Sequence, residues 1–162
     1  FTSVTKDSVG YIYDNISKED FENSQFIDLG CGKGKALIVY ALYYGKFSRE
    51  TPFGIEYDND LVSIAKRNFQ KMNFESFAPI VHSDSALNLL KYTKCKSLII
   101  YLYNSFQGST LTEILDILKA IPHILIYVDP AEKNILSAYN YTIIKENVGK
   151  YNADTWLIAK SG

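Results

Sequence analysis

Residues 26–34 read Phe-Ile-Asp-Leu-Gly-Cys-Gly-Lys-Gly, an apolar run followed by three glycines at alternate positions. Glycine adopts positive φ angles easily and lets the main chain approach a ligand closely. Residues 35–44 are apolar and compatible with a helix. The glycines Gly30, Gly32 and Gly34 are therefore expected between a buried strand and a helix. In open α/β sheets this position, beyond the carboxyl ends of the strands, is where nucleotide-like ligands bind.

The spacing of the glycines excludes a dinucleotide fingerprint. Gly-x-Gly-x-x-Gly counted from Gly30 requires a third glycine at position 35, which is lysine. The pattern present, Asp-x-Gly-x-Gly-x-Gly from Asp28 to Gly34, resembles motif I of the class I S-adenosylmethionine-dependent methyltransferases. The resemblance implies that this loop, with the small Cys31 inside it, wraps the methionine portion of S-adenosyl-L-methionine. It also implies that Asp28 helps to hold the amino group. The alternative is a glycine-rich turn that only joins a strand to a helix.

The amino-acid composition limits which class of protein this chain can belong to. A chain of 162 residues, 47% of them hydrophobic, fits one domain with a sizeable core. The formal net charge of −1 gives no global attraction to nucleic acid or membranes. Cys31 and Cys95 are too few for a disulfide framework and lack metal-ligand spacing, so we expect no metal. Without a signal peptide or a long apolar stretch, a cytoplasmic location is expected. The chain begins with Phe1 rather than Met, which leaves room for a preceding segment.

Apolar runs alternate with helical patterns along the chain, and two polar pairs suggest where helices begin. Thr110 and Glu113 have the spacing of a capping box. Asp129, followed by Pro130, is expected to cap a short helix and is given no catalytic role. An N-terminal helix is expected to bury Val9, Ile12, Tyr13 and Ile16. Further strands are predicted over residues 52–57, 78–82, 97–103, 123–129, 141–147 and 155–160, and further helices over residues 5–16, 86–91 and 130–138 and from residues 58 and 110 onward.

This alternation, closed by an antiparallel hairpin, predicts an α/β fold with a doubly wound, Rossmann-like sheet. The methyltransferase resemblance extends over residues 26–160 and implies seven strands in the order 3-2-1-4-5-7-6, with the last strand antiparallel. One methyltransferase domain is expected over residues 1–162. In that division residues 1–24 form an N-terminal helix and lead-in, and residues 25–162 form the cofactor-binding core.

Polar residues stand at the ends of the predicted strands, where they are expected to converge on one edge of the sheet. They are Asp28, Glu56, Asp84, Asn104 and Asp129. A carboxylate can accept two hydrogen bonds, so Glu56 is suited to both hydroxyls of a ribose. The alternative for Glu56 is an exposed acid before a turn, with Asp58 capping the next helix. Tyr57, the next residue, either lies against the adenine ring or is one of the many tyrosines of this chain without a ligand contact.

The segment Val-His-Ser-Asp-Ser-Ala contains Asp84. In the resembled family an acid here accepts a hydrogen bond from the adenine amino group, and Ser85 or Ala86 supplies a backbone contact. A helix N-cap formed by Ser83 or Asp84 is the other interpretation, and the two are compatible. The resemblance therefore adds Ser83, Asp84 and Ser85 to the expected cofactor contacts.

Tyr-Leu-Tyr-Asn-Ser-Phe, residues 101–106, resembles the Tyr-Leu-Tyr-Asn-Pro-Phe segment of small bacterial methyltransferases. It is also similar to the Asn-Pro-Pro-Phe/Tyr motif of amine methyltransferases, in which Asn orients the target amine and the aromatic ring packs on it. The resemblance implies catalytic roles for Asn104 and Phe106, and contact of Asn104 with the cofactor. Tyr103 is a candidate base by position only. Ser105 replaces the proline of the pattern, and a turn with Phe106 buried is the structural alternative.

These features predict S-adenosylmethionine-dependent methyl transfer to an unidentified acceptor, either a protein amine such as lysine or a small molecule. Acceptor contacts are expected from residues 1–4, 104–109 and 150–156, with Tyr151 and Trp156 among them. Since no substrate domain is inserted, the site is expected to be open, or closed by a second subunit or a preceding segment. The competing hypothesis is a non-catalytic relative that binds the cofactor or a partner protein.

Overall fold

A seven-stranded mixed sheet forms the centre of the molecule. The computed structural model describes residues 8–162, apart from the side chains of Ser8 and Ala153. The strand order is β3-β2-β1-β4-β5-β7-β6, as predicted. Strands β1 to β5 are parallel, and β7 is antiparallel to both β5 and β6. The strands are β1 Gln25–Leu29, β2 Phe53–Glu56, β3 Ile80–Ser83, β4 Leu98–Tyr103, β5 His123–Val128, β6 Thr142–Asn147 and β7 Trp156–Lys160.

Helices and 3₁₀ turns connect the strands and cover both faces of the sheet. The α-helices are α1 Ser8–Tyr13, α2 Lys18–Asn23, α3 Lys35–Tyr43, α4 Asn59–Gln70 and α5 Gly108–Leu118. The 3₁₀ segments are Gly45–Phe47, Ala86–Lys91, Lys133–Tyr139 and Asn152–Asp154. Among residues 8–162, no helix combines the length and the apolar character needed to span a bilayer.

The core consists of two apolar clusters, one on each face of the sheet. Successive side chains of a strand point to opposite faces. In β1, Phe26 accordingly packs in the cluster covered by α1 to α4, while Ile27 packs in the cluster covered by α5. All five residues of β1 are buried. The central strand is thus fixed from both sides, and the loop that follows it starts from a rigid position.

The N-terminal region departs from the prediction in part. Helix α1 ends at Tyr13, earlier than the predicted residue 16, and residues 5–7 lie outside the described part. Ile12, Tyr13 and Ile16 are buried as expected, and Val9 is partly buried. A second helix, α2, was not predicted; its N-cap Ser17 accepts a hydrogen bond from the Asp20 N–H.

Asp58 caps helix α4 as the alternative for Glu56 predicted, but the caps predicted at Thr110 and Asp129 are wrong. Helix α5 begins at Gly108, so Thr110 lies inside the helix and forms no capping box with Glu113. Gly108 has φ +57° and allows the chain to enter the helix two residues early. Asp129 does not cap a helix either, because the next 3₁₀ turn begins only at Lys133. Asp129 itself has φ +50°, an uncommon left-handed conformation for a residue other than glycine.

Candidate functional site

The glycine loop leaves β1 through three residues with positive φ, at +72°, +55° and +89° for Gly30, Gly32 and Gly34. The Gly30 and Cys31 N–H groups donate to Ile55 O at 2.8 and 3.1 Å, which ties the loop to β2. A Cβ at Gly34 would come within 2.6 Å of the Phe69 ring, whereas one at Gly32 would meet nothing within 4 Å. Gly34 is therefore required for packing, while the main chain at Gly32 faces open space.

A cavity of about 310 Å³ lies beside this loop. Its lining includes Asp28, Gly30, Cys31 and Lys33 from the loop region and Tyr101 and Tyr103 from β4. Burial, with the nearby charges of Asp28 and Glu56 as smaller causes, raises the pKa of the Cys31 thiol. A thiol held neutral in this way is a poor nucleophile, so Cys31 acts as a small apolar lining residue.

Asp28 is a buried acid of the large cavity, with 3% of its surface exposed. Burial, and secondly the Glu56 charge, raise the pKa of this carboxyl well above its usual value of 3.8. No hydrogen bond to the Asp28 side chain comes from any residue in the range 8–162. An ionised carboxylate in this position is costly unless a cation or donor pairs with it. Asp28 is thus suited to bind a cationic group that enters the cavity.

A second cavity, of about 150 Å³, adjoins the first and shares Gly30 and Ser105 with it. Glu56 lies on its wall and accepts the Gly32 N–H at Oε1 (2.9 Å) and the Asp58 N–H at Oε2 (3.0 Å). Each carboxylate oxygen has two lone pairs, so one acceptor position on each remains for a diol. Tyr57 stands beside Glu56 with 81% of its surface exposed.

Asp84 also lines the small cavity, held by three donors. Tyr92 Oη donates to its Oδ2 at 2.5 Å, and the Asn88 side chain and the Ser85 N–H donate to its Oδ1 at 2.8 and 2.7 Å. These hydrogen bonds, that of Tyr92 first, lower the pKa of Asp84 to about 2. Asp84 is therefore a fixed, ionised acceptor at neutral pH. Sequence analysis missed Tyr92 and Asn88, although both lie on the turn that follows Asp84.

The Tyr92 hydroxyl is expected to control this acidity. In Tyr92→Phe the Asp84 carboxylate loses its main donor, so its pKa should rise from about 2 toward the ordinary 3.8. A carboxyl whose pKa is lower in the folded than in the unfolded state stabilises the fold at pH values above its unfolded-state pKa. This stabilisation is lost as the pH falls through the folded-state pKa. In the variant the folded-state pKa is higher, so the stabilisation should be smaller and should disappear at a higher pH. Titration of the Asp84 carboxyl carbon followed by NMR measures the change in pKa. Tyr151→Phe, which alters an exposed ring on another loop, is the control. An unchanged Asp84 titration in Tyr92→Phe would show that the Tyr92 hydroxyl does not control the acidity of Asp84.

The serines on either side of Asp84 make local contacts. Ser83 Oγ lies 2.6 Å from Asn59 Oδ1. Ser85 Oγ accepts the Leu87 N–H and caps the following turn, so the cap predicted at Ser83 or Asp84 is wrong by one or two residues. Neither serine is part of the lining of the two cavities. Their contacts with a cofactor stay predictions.

The segment after β4 separates the two cavities. Tyr103 is partly exposed in the large cavity, Phe106 lines the small one, and Ser105 borders both. Ser105 Oγ donates to Tyr103 O, which closes a tight turn without the proline of the resembled motif. Asn104 lies between Tyr103 and Ser105 in the chain, and its Nδ2 donates to Asp129 Oδ2 at 3.1 Å.

Asp129 is a further residue whose role sequence analysis missed. Its backbone N–H donates to Thr155 O at 2.7 Å, and its carboxylate binds Asn104 instead of capping a helix. The available signal was its position, since Asn104 and Asp129 both follow neighbouring parallel strands. Thr155 also brings residues 150–156 to this edge, and their contact with an acceptor stays a prediction. Residues 1–4 lie outside the described part.

Together the two cavities suit one ligand with two polar ends. The large cavity offers an anion beside an apolar wall, and the small one offers two acids beside exposed and partly buried rings. Within residues 8–162 no group of three or more His, Cys, Asp or Glu side chains could hold a metal ion. The side chains of the two cavities can bind and orient an organic molecule.

No known family model and no curated protein sequence matches the chain. Solved structures do match over most of its length. An rRNA methylase from Streptococcus thermophilus superimposes with a TM-score of 0.63 at 11% identity, covering 98% of each chain. A tRNA methyltransferase from B. subtilis gives 0.66 at 16% identity, covering 100% of this chain and 68% of the other.

The magnesium protoporphyrin IX methyltransferase from Synechocystis, crystallised with S-adenosylmethionine, gives a TM-score of 0.69 at 14% identity. The match covers 96% of this chain and 78% of the enzyme. The chain has the class I methyltransferase fold. At these identities the likeness establishes the arrangement of strands and helices, and the chemistry must be argued from this chain's residues.

Proposed function

We propose that the chain binds S-adenosyl-L-methionine and transfers its methyl group to an acceptor. The observation that carries this proposal is Asp28, a buried carboxylate of raised pKa beside the glycine loop and without a donor among the described residues. The α-ammonium group of the methionine portion supplies the cation that this carboxylate requires.

The rest of the site fits the adenosyl portion. Glu56 has acceptor capacity left for the ribose hydroxyls, and Asp84 is an ionised acceptor suited to the adenine amino group. The open space at Gly32 lets a ligand reach the loop without meeting a side chain. The cavities adjoin at Gly30 and Ser105, so a ligand that fills both must cross there.

The sulfonium of the cofactor supplies an already activated methyl group. The protein then has to orient the acceptor and exclude water. Tyr101 and Tyr103 provide an aromatic wall in the large cavity, and Asn104 and Phe106 lie on the segment between the two cavities. An acceptor that arrives as an ammonium ion must first lose a proton, because only the neutral amine has a lone pair with which to attack. Tyr103 lines the large cavity and, in its phenolate form, is our candidate base by position.

We propose an amine acceptor, on a protein or a small molecule, because Asn104 and Phe106 resemble the asparagine and aromatic positions of the amine methyltransferase motif. The three neighbours are named for rRNA, tRNA and porphyrin substrates, so the shared fold does not choose between acceptors. The turn closed by Ser105 differs from the resembled motif, and this difference supports the second candidate, a cofactor-binding protein without catalysis.

Calorimetry with S-adenosylmethionine and S-adenosylhomocysteine tests the cofactor. We expect both to bind, and Glu56→Gln to weaken binding by roughly tenfold through loss of a charged hydrogen bond. Glu146→Gln is the matched control, because the Glu146 side chain lies away from both cavities in an exposed ion pair with Lys133. If neither ligand binds, the proposal is overturned. Transfer of a labelled methyl group to an amine panel then separates an enzyme from a non-catalytic binder.

A further inference from the structure

A third cavity, of about 220 Å³, lies at the edge of the sheet opposite to the two cavities described above. It borders the first residues of β1, β2 and β3, which are Gln25, Phe53 and Ile80, and the turn over residues 91–94. Sites for drug-sized ligands occupy about 300–1,000 Å³, so this smaller cavity suits a ligand with a single ring. The proposed binding of the cofactor makes no use of it.

The third cavity is already formed and open to solvent. Gln25 is 1% exposed; its Nε2 donates to Thr51 O at 2.9 Å, and its Oε1 accepts the Lys94 N–H at 2.8 Å. This one buried amide ties β1 to the two segments beside the cavity. Ile80 and Lys91, which also line the cavity, are exposed. A ligand can therefore enter without a rearrangement of the chain.

Three rings form one wall of the third cavity. His82 stacks on Tyr92, with the ring centroids 3.8 Å apart and 12° between the ring planes. Phe53 meets both rings edge-on, at centroid distances of 5.4 Å from His82 and 6.1 Å from Tyr92. Stacked and edge-on contacts are the arrangements in which a further aromatic ring gains the most. The wall therefore favours an aromatic ligand over an aliphatic one of similar size.

The charged side chains that line the third cavity are basic. Lys91 and Lys94 are among its lining residues, and within the described part of the chain no Asp or Glu is. Lys91 Nζ lies 5.6 Å from the centroid of the Tyr92 ring, so its charge stands beside the aromatic wall. The His82 ring makes no hydrogen bond with residues 8–162, so its N–H is available to an acceptor. A carboxylate complements these donors.

Tyr92 connects the third cavity with the small cavity of the cofactor site. Its ring lines the third cavity, and its Oη donates at 2.5 Å to Oδ2 of Asp84, which lines the small cavity. Strand β3 is only four residues long, so one side chain reaches from one edge of the sheet to the other. A ligand against the ring restrains the hydroxyl that holds Asp84. Two ligands that order the same side chain bind with positive cooperativity.

We propose that the third cavity binds a small aromatic carboxylate and that Tyr92 couples its occupancy to cofactor binding. The binding step stands on the cavity itself, whereas the coupling rests on the proposed methyltransferase function. Because coupling between two sites is reciprocal, each ligand raises the affinity for the other by the same factor. Occupancy of the third cavity then adjusts how tightly the cofactor is held.

The first experiment titrates benzoate into ¹⁵N-labelled protein and follows the His82 ring and the Lys94 backbone amide by NMR. Two matched ligands separate the parts of the probe. Benzamide has the ring without the charge, and cyclohexanecarboxylate has the charge without the aromatic ring. We expect saturable shifts with benzoate and at least fivefold weaker binding of each control ligand. Absence of saturable shifts, or equal binding of the three ligands, overturns the site.

A double lysine variant tests the charge of the third cavity. Lys91→Gln combined with Lys94→Gln should weaken benzoate binding about fivefold, as expected for two exposed ion pairs. Lys18→Gln combined with Lys46→Gln is the matched control, because these two exposed lysines lie over the Phe47 ring and do not line the cavity. Equal benzoate affinity in the two double variants overturns the site as well.

Calorimetry with S-adenosylhomocysteine, with and without saturating benzoate, tests the coupling. In the wild-type protein we expect benzoate to raise the affinity about fivefold, at the low end of typical couplings. Tyr92→Phe keeps the ring and removes the hydroxyl, so it should bind benzoate as wild type does and show no coupling. Unchanged or lower affinity in wild type, or full coupling in Tyr92→Phe, overturns the role of Tyr92. If S-adenosylhomocysteine does not bind at all, the proposed function is overturned, and the benzoate titration still decides the site.

Discussion

Replacing Asp28 by asparagine is expected to weaken S-adenosylmethionine binding on the order of a hundredfold while making the free protein more stable at neutral pH. The affinity falls because the cofactor ammonium loses its buried anionic partner. Stability rises because the buried acid, whose pKa is raised by burial and then by Glu56, is replaced by a neutral side chain of the same size. Calorimetry and thermal unfolding measure the two effects on the same samples.

The pH dependence gives an independent check on Asp28. Its folded pKa lies above the ordinary value of 3.8, so the native state holds a proton that the unfolded chain has lost. Stability should then decrease as pH rises from about 4 through the folded pKa. Cofactor affinity should increase over the same interval, since the carboxylate is the binding form, and both trends should be absent in Asp28→Asn. A change of affinity no larger than that of Asp116→Asn, at an exposed ion pair on α5, would contradict the role of Asp28.

Replacing Gly34 by alanine is expected to lower the free energy of unfolding by about 3 kcal/mol. A left-handed conformation costs roughly 1–2 kcal/mol for a residue with a Cβ, and overpacking adds about 1–3 kcal/mol. Gly34 has φ +89°, and the added Cβ would lie 2.6 Å from the Phe69 ring. The thermal midpoint should fall by roughly 10 °C for a domain of this size. Scanning calorimetry makes the comparison with wild type.

Gly32→Ala is the matched control for Gly34→Ala. Its φ of +55° carries the conformational cost, but the new Cβ would meet nothing within 4 Å. We therefore expect a smaller loss of stability, about 1 kcal/mol, combined with weaker cofactor binding because the methyl group enters the ligand's space. Equal destabilisation by the two substitutions would show that packing against Phe69 contributes nothing.

The sheet was predictable because each of its strands has its own local sequence pattern, and the same pattern recurs along the chain. Each strand is an apolar run bounded by polar or glycine residues, and the observed boundaries of β2 to β7 differ from the predicted ones by at most two residues. The positions of Asp28 and Glu56 followed from the same pattern, since a residue that ends a parallel strand lies at the same edge as its neighbours. Their roles toward a cofactor stay predictions until binding is measured.

The parts that could not be predicted depend on pairs of residues distant in sequence. Asp129 before Pro130 has the local pattern of a helix cap, but 25 residues earlier in the chain Asn104 provides a donor for the same carboxylate. Thr110 similarly resembles a cap until Gly108, with its positive φ, starts the helix earlier. Local propensity cannot decide between partners when one of them comes from another strand.

Gly54 in β2 has a consequence for how this chain can vary. A Cβ there would lie 2.6 Å from Cys31 Sγ and from Leu37 Cδ1, so the thiol of the glycine loop occupies the space that the strand leaves free. The side chains at positions 31 and 54 therefore compete for the same space between the glycine loop and β2. A side chain at position 54 requires a smaller residue at position 31 and a shift of Leu37, whereas Gly54 has no side chain to remove in exchange for a residue larger than Cys31. Substitutions at the two sites should therefore be strongly epistatic.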